Sequence, residues 1–165
     1  MVLDAVAARD DLHFNERKLF HAEVAPRSEA MVLAKPQTFM NDSGLAAKML
    51  LKQFEGELVV VHDEINVPIG EVKCSYDRGS GDHNGVQSII DHIGHQKFFR
   101  IRVGVRPVHD ELLPRIAPPD GFEKFLLSDF TPMEKDLLQQ GIKKALQIID
   151  ELPTKSFEEI MNKYN

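Results

Sequence analysis

Three short polar segments interrupt otherwise apolar stretches of this 165-residue sequence, and each carries side chains that can take part in chemistry. They lie around Asn41, around Asp63, and around the adjacent pair His83 and Asn84. A carboxylate can orient an imidazole and tune its pKa, and amide side chains both donate and accept hydrogen bonds. These residue types are suited to binding a polar substrate and to assisting acid–base chemistry.

Each segment also has an interpretation in which it only shapes the backbone. Asn41 can cap the helix that follows it, and residue type alone favours the cap over substrate binding. The apolar run over 58–61 predicts a buried strand that ends before His62, which leaves Asp63 either in a site at the strand end or in a turn. The residues support these two interpretations of Asp63 equally.

The loop that leads to His83 contains Gly79 and Gly81, which allow a backbone to approach a ligand closely. Its spacing matches neither the dinucleotide-binding pattern nor the Walker pattern. A strand is predicted over 71–76, and its link from Asp63 is too short for a parallel crossover, so we expect it to run antiparallel. Nothing in the sequence then requires the glycine loop to lie beside Asp63.

A short basic stretch stands out in a chain whose formal net charge is −6. Its members are Lys97, Arg100, Arg102 and Arg106. Such a row can contact phosphates, and it can also form the solvated face of a half-exposed strand. Residue types alone favour the solvated face.

Neither a metal site nor a covalent nucleophile is expected. His92 and His95 have a spacing that suggests metal ligands, but Gly94 is predicted to end the helix between them, which breaks the geometry of a ligand pair. The sequence has no Gly-x-Ser-x-Gly motif, and its single cysteine, Cys74, falls in a predicted strand. We therefore expect no metal ion.

Composition limits the class of protein. With 42% hydrophobic and 28% charged residues, the chain is expected to form a single globular domain over residues 1–165. A lone cysteine excludes an internal disulfide framework and favours a reducing compartment. No apolar run approaches the roughly 18 to 20 residues of a membrane helix, so a cytoplasmic protein is predicted. The acidic balance argues against coating nucleic acid through bulk charge, whereas a local basic patch could still hold phosphates.

Alternating helices and strands must hold the polar segments in place. Strands are predicted over residues 19–24, 30–34, 58–61, 71–76 and 99–105, the first two forming a hairpin. Helices are predicted at the start of the chain, from the Asn41 segment to Phe54, from the glycine loop to His92, and after a capping box of Thr131 and Glu134. This order predicts a three-layer α/β/α sandwich with a mixed, mostly parallel central sheet.

Taken in order, the polar segments resemble motifs of the bacterial-type peptidyl-tRNA hydrolase family. The matching stretches are KPQTFMNDSG at 35–44, VHDE at 61–64, GSGDHNG at 79–85, RIRVGV at 100–105 and the closing MNKYN at 161–165. The resemblance covers nearly all of the chain. It implies a monomer with a phosphorylase/hydrolase-like fold that hydrolyses the ester between a peptide and the 3′ end of tRNA, with no metal or organic cofactor.

The resemblance also implies roles for individual residues. Asp63 matches the carboxylate that orients and charges a catalytic histidine. Asn41 and Asn84 match amides that bind the peptide and ester region and position water. The remaining residues implied for substrate binding are Phe39, Met40, Gly81 and His83 in the crevice, and Lys73 and Arg102 on the acceptor-stem phosphates. The resemblance therefore reverses the preferences that residue types alone gave for Asn41 and for the arginines.

Three departures from the family pattern bear on activity. Ser75 stands where many relatives carry a second basic residue, and Asp82 stands where glycine usually precedes the His-Asn pair. The family pattern also begins with a central strand and a Thr-Arg-His-Asn segment that carries the general-base histidine, ahead of the region that corresponds to Met1. The sequence is thus expected to represent an N-terminally truncated domain without that histidine.

The neighbours of His13 and His21 do not match the missing segment, and strand alternation predicts that His62 and Asp63 point to opposite faces. Loss of a general base is expected to reduce the rate by about 10² to 10⁴. Two functions therefore follow from the sequence: a peptidyl-tRNA hydrolase of doubtful activity, and, as the alternative, a catalytically inactive RNA-binding protein of the same fold, similar to organellar splicing factors.

Overall fold

The computed structural model describes residues 1–106 and 130–165 of the chain. Two 3₁₀ turns, Lys18–Phe20 and Met40–Asp42, accompany the regular elements. In chain order these elements are α1 (Val2–Arg9), β1 (Asn15–Arg17), β2 (Ala22–Ser28), β3 (Met31–Pro36), α2 (Ser43–Gln53), β4 (Val59–Pro68), β5 (Val72–Tyr76), α3 (Asn84–Ile93), β6 (Phe99–Arg106), α4 (Pro132–Glu151) and α5 (Phe157–Tyr164).

The described strands form two sheets of three strands each. In the central sheet, β6 lies between β4, to which it is parallel, and β5, to which it is antiparallel. The predicted antiparallel course of β5 is thus confirmed. Over the described residues the sheet is mixed, as predicted, but it has one pairing of each kind and no parallel majority. The predicted hairpin is also confirmed: β2 and β3 pair antiparallel in the second sheet, although both lie further along the chain than expected.

Helices cover both faces of the central sheet, as an α/β/α arrangement requires. Alternate residues of β6, namely Phe99, Ile101 and Val103, pack with apolar side chains of α1, α4 and α5 on one face. On the other face, Phe98 packs with Val86 and with further apolar residues of α2 and α3. Burial of this apolar surface is the main force that holds the layers together.

The strand β4 is longer than the apolar run predicted. It continues through His62 to Pro68 and stays in register with β6 as far as the pairing of Glu64 with Gly104. The prediction that the strand ends before His62 is wrong, and so is the turn interpretation of Asp63. Charged residues can continue a strand when they find a partner, and the buried carboxylate of Glu64 is bonded to the guanidinium of Arg102 at 3.0 Å.

A close contact between α2 and α3 sets the position of the Asn41 segment. The amide of Gly44, in the first turn of α2, donates to the hydroxyl of Ser88 in α3 at 3.0 Å. A Cβ atom at Gly44 would lie 2.0 Å from the carbonyl oxygen of Ser88, so only glycine permits this approach. The turn Met40–Asp42, directly before α2, is thereby held against the beginning of α3.

The C-terminal helices complete the layer over β5 and β6. The predicted capping box of Thr131 and Glu134 is confirmed at the start of α4. After α5, the side-chain amide of Asn165 accepts from the backbone N–H of Cys74 at 2.8 Å and donates to its carbonyl at 3.0 Å, as a neighbouring strand would. Within the two described ranges, no helix combines the length and apolar character needed to cross a bilayer.

We predict that Gly44→Ala lowers the free energy of unfolding by about 2 to 3 kcal/mol, because the added methyl forces α2 away from α3. Urea denaturation followed by circular dichroism measures the change. The matched control is Gly79→Ala, where a Cβ would meet nothing within 4 Å and φ is not positive; it should stay within about 0.5 kcal/mol of the wild type. Equal stability of the two variants would contradict the close contact.

Candidate active site

The structure joins two segments that the sequence left apart. Nε2 of His83, at the end of the glycine loop, lies 3.2 Å from Oδ1 of Asp63 in β4. The loop leaves β5 on the far side of β6, and it returns across the sheet before α3 begins. The carboxylate and the imidazole therefore meet although twenty residues separate them.

The imidazole of His83 caps α3. Its Nδ1 accepts hydrogen bonds from the backbone amides of Gly85 at 3.1 Å and Val86 at 3.2 Å, which are among the amides that a helix leaves unpaired at its beginning. Because Nδ1 acts as the acceptor, the ring proton belongs on Nε2, which donates it to Asp63. Both ring nitrogens of His83 are therefore engaged, and the ring has no free lone pair to serve as a base.

The carboxylate of Asp63 is held in its ionised form. The hydrogen bond from His83 lowers the pKa of Asp63, although partial burial opposes the shift. The side chain is 46% exposed, so the carboxylate can also contact a bound molecule. Asp63 is thus a charged acceptor at the centre of this cluster.

His62 is a second histidine in the cluster, and sequence reasoning did not assign it a role. Its ring meets the ring of His83 edge to face, with the centroids 4.7 Å apart, so His62 and Asp63 both contact His83 although strand alternation separates them. Its Nδ1 donates to the carbonyl oxygen of Asp63 at 2.6 Å, and its buried Nε2 has no hydrogen-bond partner in the described part of the chain. Burial, together with the adjacent His83, lowers the pKa of His62 to about 4.

The two candidate asparagines lie on neighbouring elements, the turn before α2 and the start of α3. Asn41 is exposed in the turn before α2, and the residue at the cap position of that helix is Asp42, whose side chain makes no capping bond. The interpretation of Asn41 as a helix cap is therefore wrong. The sulfur of Met40 lies against Gly85, 2.5 Å from where a Cβ would stand, which brings the turn next to Asn84. Asn84 is exposed as the first residue of α3.

Exposed apolar side chains accompany these amides. Met40, in the turn that packs against α3, is 55% exposed, and Phe39, directly before this turn, is 86% exposed. Large apolar side chains left in water beside polar groups are typical of a binding surface. Met40 thus lies at the same end of α3 as His83 and Asn84, and Phe39 precedes it in the chain. Contact of these predicted crevice residues with substrate stays a prediction.

The glycine loop turns through two consecutive left-handed residues. Gly81 has φ +62° and the following Asp82 has φ +64°, both in the region that favours glycine. Gly81 is exposed, as a residue that faces a ligand would be. Aspartate tolerates this region better than most residues, so Asp82 can take the place that glycine usually holds in the family pattern.

The four basic residues have different surroundings, since Lys97 and Arg106 are exposed as a solvated face requires, whereas Arg100 and Arg102 are not. Arg100 is only 2% exposed, and the guanidinium of Arg102 is bonded through Nε and Nη2 to Glu64, both distances being 3.0 Å. The ammonium of Lys73 donates to the carbonyl of Asn165 at 2.9 Å. The solvated interpretation is thus wrong for Arg100 and Arg102. Phosphate binding by Lys73 and Arg102 stays a prediction, and a phosphate would have to share these groups with their present partners.

The histidines near the end of α3, His92 and His95, lie on either side of the residue that ends the helix. As predicted, Gly94 ends the helix, with φ +81°. The ring of His92 bonds through Nδ1 to the carbonyl of Ser88 at 2.9 Å. Over residues 1–106 and 130–165, no three His, Cys, Asp or Glu side chains converge as metal ligands would.

Three kinds of comparison relate the chain to known proteins. The family model described as peptidyl-tRNA hydrolase matches residues 1–165. The peptidyl-tRNA hydrolase of Lactococcus lactis subsp. cremoris is 36% identical over 100% of this chain and 87% of the relative, and that of Listeria monocytogenes serovar 1/2a is 33% identical with the same coverage. The fold is similar to the crystal structure of peptidyl-tRNA hydrolase from Acinetobacter baumannii, with a TM-score of 0.85 and 22% identity over 99% of this chain and 82% of that chain.

The low pKa of His62 predicts a specific dependence of stability on pH. An unfolded histidine takes up a proton near pH 6.5, whereas His62 in the folded chain does so only near pH 4. As the pH falls between these values, the unfolded state binds more protons, so the free energy of unfolding decreases by on the order of 3 kcal/mol. The variant His62→Leu lacks this contribution and should lose less stability over the same range.

Urea denaturation of both proteins at a series of pH values measures the difference. Val61→Ala is the control, because it weakens the adjacent position of β4 without removing a titrating group. Its stability should follow the pH dependence of the wild type at a lower level. If the curve for His62→Leu also runs parallel to the wild type, His62 is not buried as a neutral imidazole.

Proposed function

The chain belongs to the peptidyl-tRNA hydrolase family, and from this premise we propose that it hydrolyses the ester bond between a peptide and the 3′ end of tRNA, releasing free tRNA and peptide. The single observation that supports the proposal most is the contact of Asp63 with His83 directly beside the exposed amide of Asn84. The turn that carries Asn41 packs against the same end of α3. These are the polar groups that ester hydrolysis needs.

Ester hydrolysis needs an acceptor for the proton of the attacking water and donors for the charge that develops on the carbonyl oxygen. We assign the acceptor role to the ionised carboxylate of Asp63. His83 already occupies the amides of Gly85 and Val86. We therefore assign the role of donor to substrate to the side-chain amides of Asn84 and Asn41. Water attacks the ester carbonyl and gives one proton to Asp63, and the bond from the carbonyl carbon to the 3′ oxygen of the tRNA then breaks. Protonated Asp63 returns its proton to that leaving oxygen, so that free tRNA and peptide are the products.

A carboxylate with a lowered pKa is a weak base near neutral pH, and general-base catalysis works best when the pKa lies near the operating pH. The rate that Asp63 alone can support is therefore modest. Within residues 1–106 and 130–165, the cluster offers no better base, since His83 uses both nitrogens and Nε2 of His62 is buried. Slow but measurable hydrolysis is the expected outcome.

Substrate binding is assigned to the surface around this cluster. The exposed ring of Phe39 and the exposed side chain of Met40 can contact an apolar side chain of the peptide or the base of the terminal nucleotide. Lys73 and Arg102 are proposed to contact phosphates of the acceptor stem. The partner is thus peptidyl-tRNA, bound by a monomer.

The test of this function is the release of peptide from an N-blocked aminoacyl-tRNA. We predict that Asp63→Asn lowers kcat by on the order of 10², because it removes the negative acceptor while it retains size and shape. The matched control is Asp91→Asn, which makes the same change at an exposed residue of α3 whose one bond within the described residues is to Gln87. Unchanged turnover in Asp63→Asn, or equal losses in the two variants, would refute the assigned role.

A second function is supported by a specific observation. The imidazoles of the cluster, His62 and His83, have no accessible free lone pair in the described part of the chain. A chain of this fold without an effective base can still bind the RNA. The alternative is therefore an RNA-binding protein that holds the acceptor stem without cleaving the ester.

Filter binding of uncharged tRNA at several salt concentrations separates the alternatives. Either function predicts binding that weakens as salt rises, because phosphate contacts release counterions. Arg102→Gln should weaken binding and reduce the salt slope by about 1. Binding without ester hydrolysis by the wild type would favour the RNA-binding function, and absence of binding even at low salt would exclude both.

A further inference from the structure

Arg100 is one of the most deeply buried side chains of the described chain, although it carries a charge. It lies in the central strand β6, between Val60 of β4 and Ser75 of β5. Strand alternation places it on the face covered by α2 and α3, opposite Phe99 and Ile101. A charge at such a position is costly unless it is well bonded. The hydrogen bonds of the Arg100 guanidinium therefore indicate what this buried charge contributes.

No acidic side chain in the described ranges forms an ion pair with Arg100. The acid whose charge acts on it, Glu64, is bonded to Arg102 instead. Burial and the charges of Arg102 and Arg78 lower the pKa of Arg100. An apolar side chain of similar size would fill the same space without these penalties.

What the guanidinium adds is a pair of donors aimed at the glycine loop. Its Nη1 donates to the carbonyl of Gly79 at 2.9 Å, and its Nη2 donates to the carbonyl of Arg78. These are consecutive residues of the loop that ends at His83. The planar fork of arginine can bond two such acceptors at once with little loss of freedom, which the flexible ammonium of lysine cannot match.

The rest of the loop is weakly held. Apart from the bonds that join His83 to Asp63 and to the first turn of α3, the other hydrogen bonds of the loop in the described structure are donated by the side chain of Gln96 and the backbone of His83, and they are 3.3 and 3.4 Å long. Gly81 is exposed, and a Cβ there would meet nothing within 4 Å. The course of the loop is therefore fixed by Arg100 at its beginning and by the cap that His83 makes at its end.

We propose that Arg100 is a positioning residue: by holding the carbonyls of Arg78 and Gly79, it fixes the loop so that His83 reaches Asp63 and Asn84 faces the substrate. It touches no reacting group itself. The structural part of this inference is independent of what the site does, and its consequence for turnover rests on the proposed function.

Amide hydrogen exchange, measured by NMR, tests the structural part without any substrate. Arg100→Met keeps the volume and removes both donors. We expect the amides of Gly85 and Val86, which are bonded to His83, to exchange about tenfold faster or more, while Ile142 and Ala145 in α4 keep their protection. Arg106→Met makes the same change at an exposed position of the same strand and should leave all four amides unchanged.

Two results would overturn the proposal: unchanged protection of Gly85 and Val86 in Arg100→Met, or an equal loss of protection in the loop and in α4, which would indicate a general loss of stability. If Arg100→Met does not fold, Arg100→Lys takes its place. It keeps the charge but not the fork, and it should show a smaller increase confined to the same two amides. Full protection in Arg100→Lys would equally contradict the need for the fork.

Chemical rescue and turnover complete the test. In Arg100→Ala, guanidinium at a concentration far below that which unfolds the protein should restore the protection of the loop amides, whereas methylammonium should not. Where the wild type hydrolyses ester, Arg100→Met should lower kcat by about tenfold or more, and guanidinium should restore it in Arg100→Ala. A wild type without turnover would refute the proposed function and leave the exchange result as the test of Arg100.

Discussion

The hydrogen bond between His83 and Asp63, 3.2 Å long, is the interaction on which the rest of the site depends. It links the central sheet to the loop before α3, and it lowers the pKa of the carboxylate. The same ring accepts the amides of Gly85 and Val86 through its other nitrogen. A single side chain therefore begins a helix, closes a loop and keeps a neighbouring charge ionised. Because both nitrogens are used, the arrangement fixes the tautomer of the ring and removes it as a base.

Close packing around this bond brings the second polar segment to it. The absence of a side chain at Gly44 lets α2 lie directly on α3, and the turn with Asn41 follows as a consequence. Within the sheet, the pairing of Glu64 with Arg102 allows β4 to extend past His62, so that Asp63 stands in a strand rather than in a loose turn. Rigid elements thus hold both sides of the cluster, as a site with defined geometry requires.

Several residues here depart from what local energetics would favour. Asp82 adopts a left-handed backbone. Among the residues that the structure describes, buried Arg100 pairs with no acid and buried Nε2 of His62 has no hydrogen-bond partner. Each carries an energetic cost, and each belongs to the glycine loop or contacts it: Asp82 lies in the loop, Arg100 bonds to its carbonyls, and the ring of His62 meets that of His83. Departures that cluster in this way are expected at functional sites, where the fold sacrifices some stability for geometry.

The sequence by itself determined the mixed α/β class, the hairpin, the antiparallel course of β5, the cap at Thr131, and the family to which the chain belongs. These features depend on periodicity, on turn and capping residues and on the order of motifs, all of which are local or linear properties. Only the tertiary structure decided that β4 continues past His62, that His83 meets Asp63, and that Arg100 is buried. Those outcomes depend on partners about 20 to 40 residues away in the chain. A polar residue reveals in sequence which bonds it can form, but burial and the choice of partner are set only when distant strands and loops pack together.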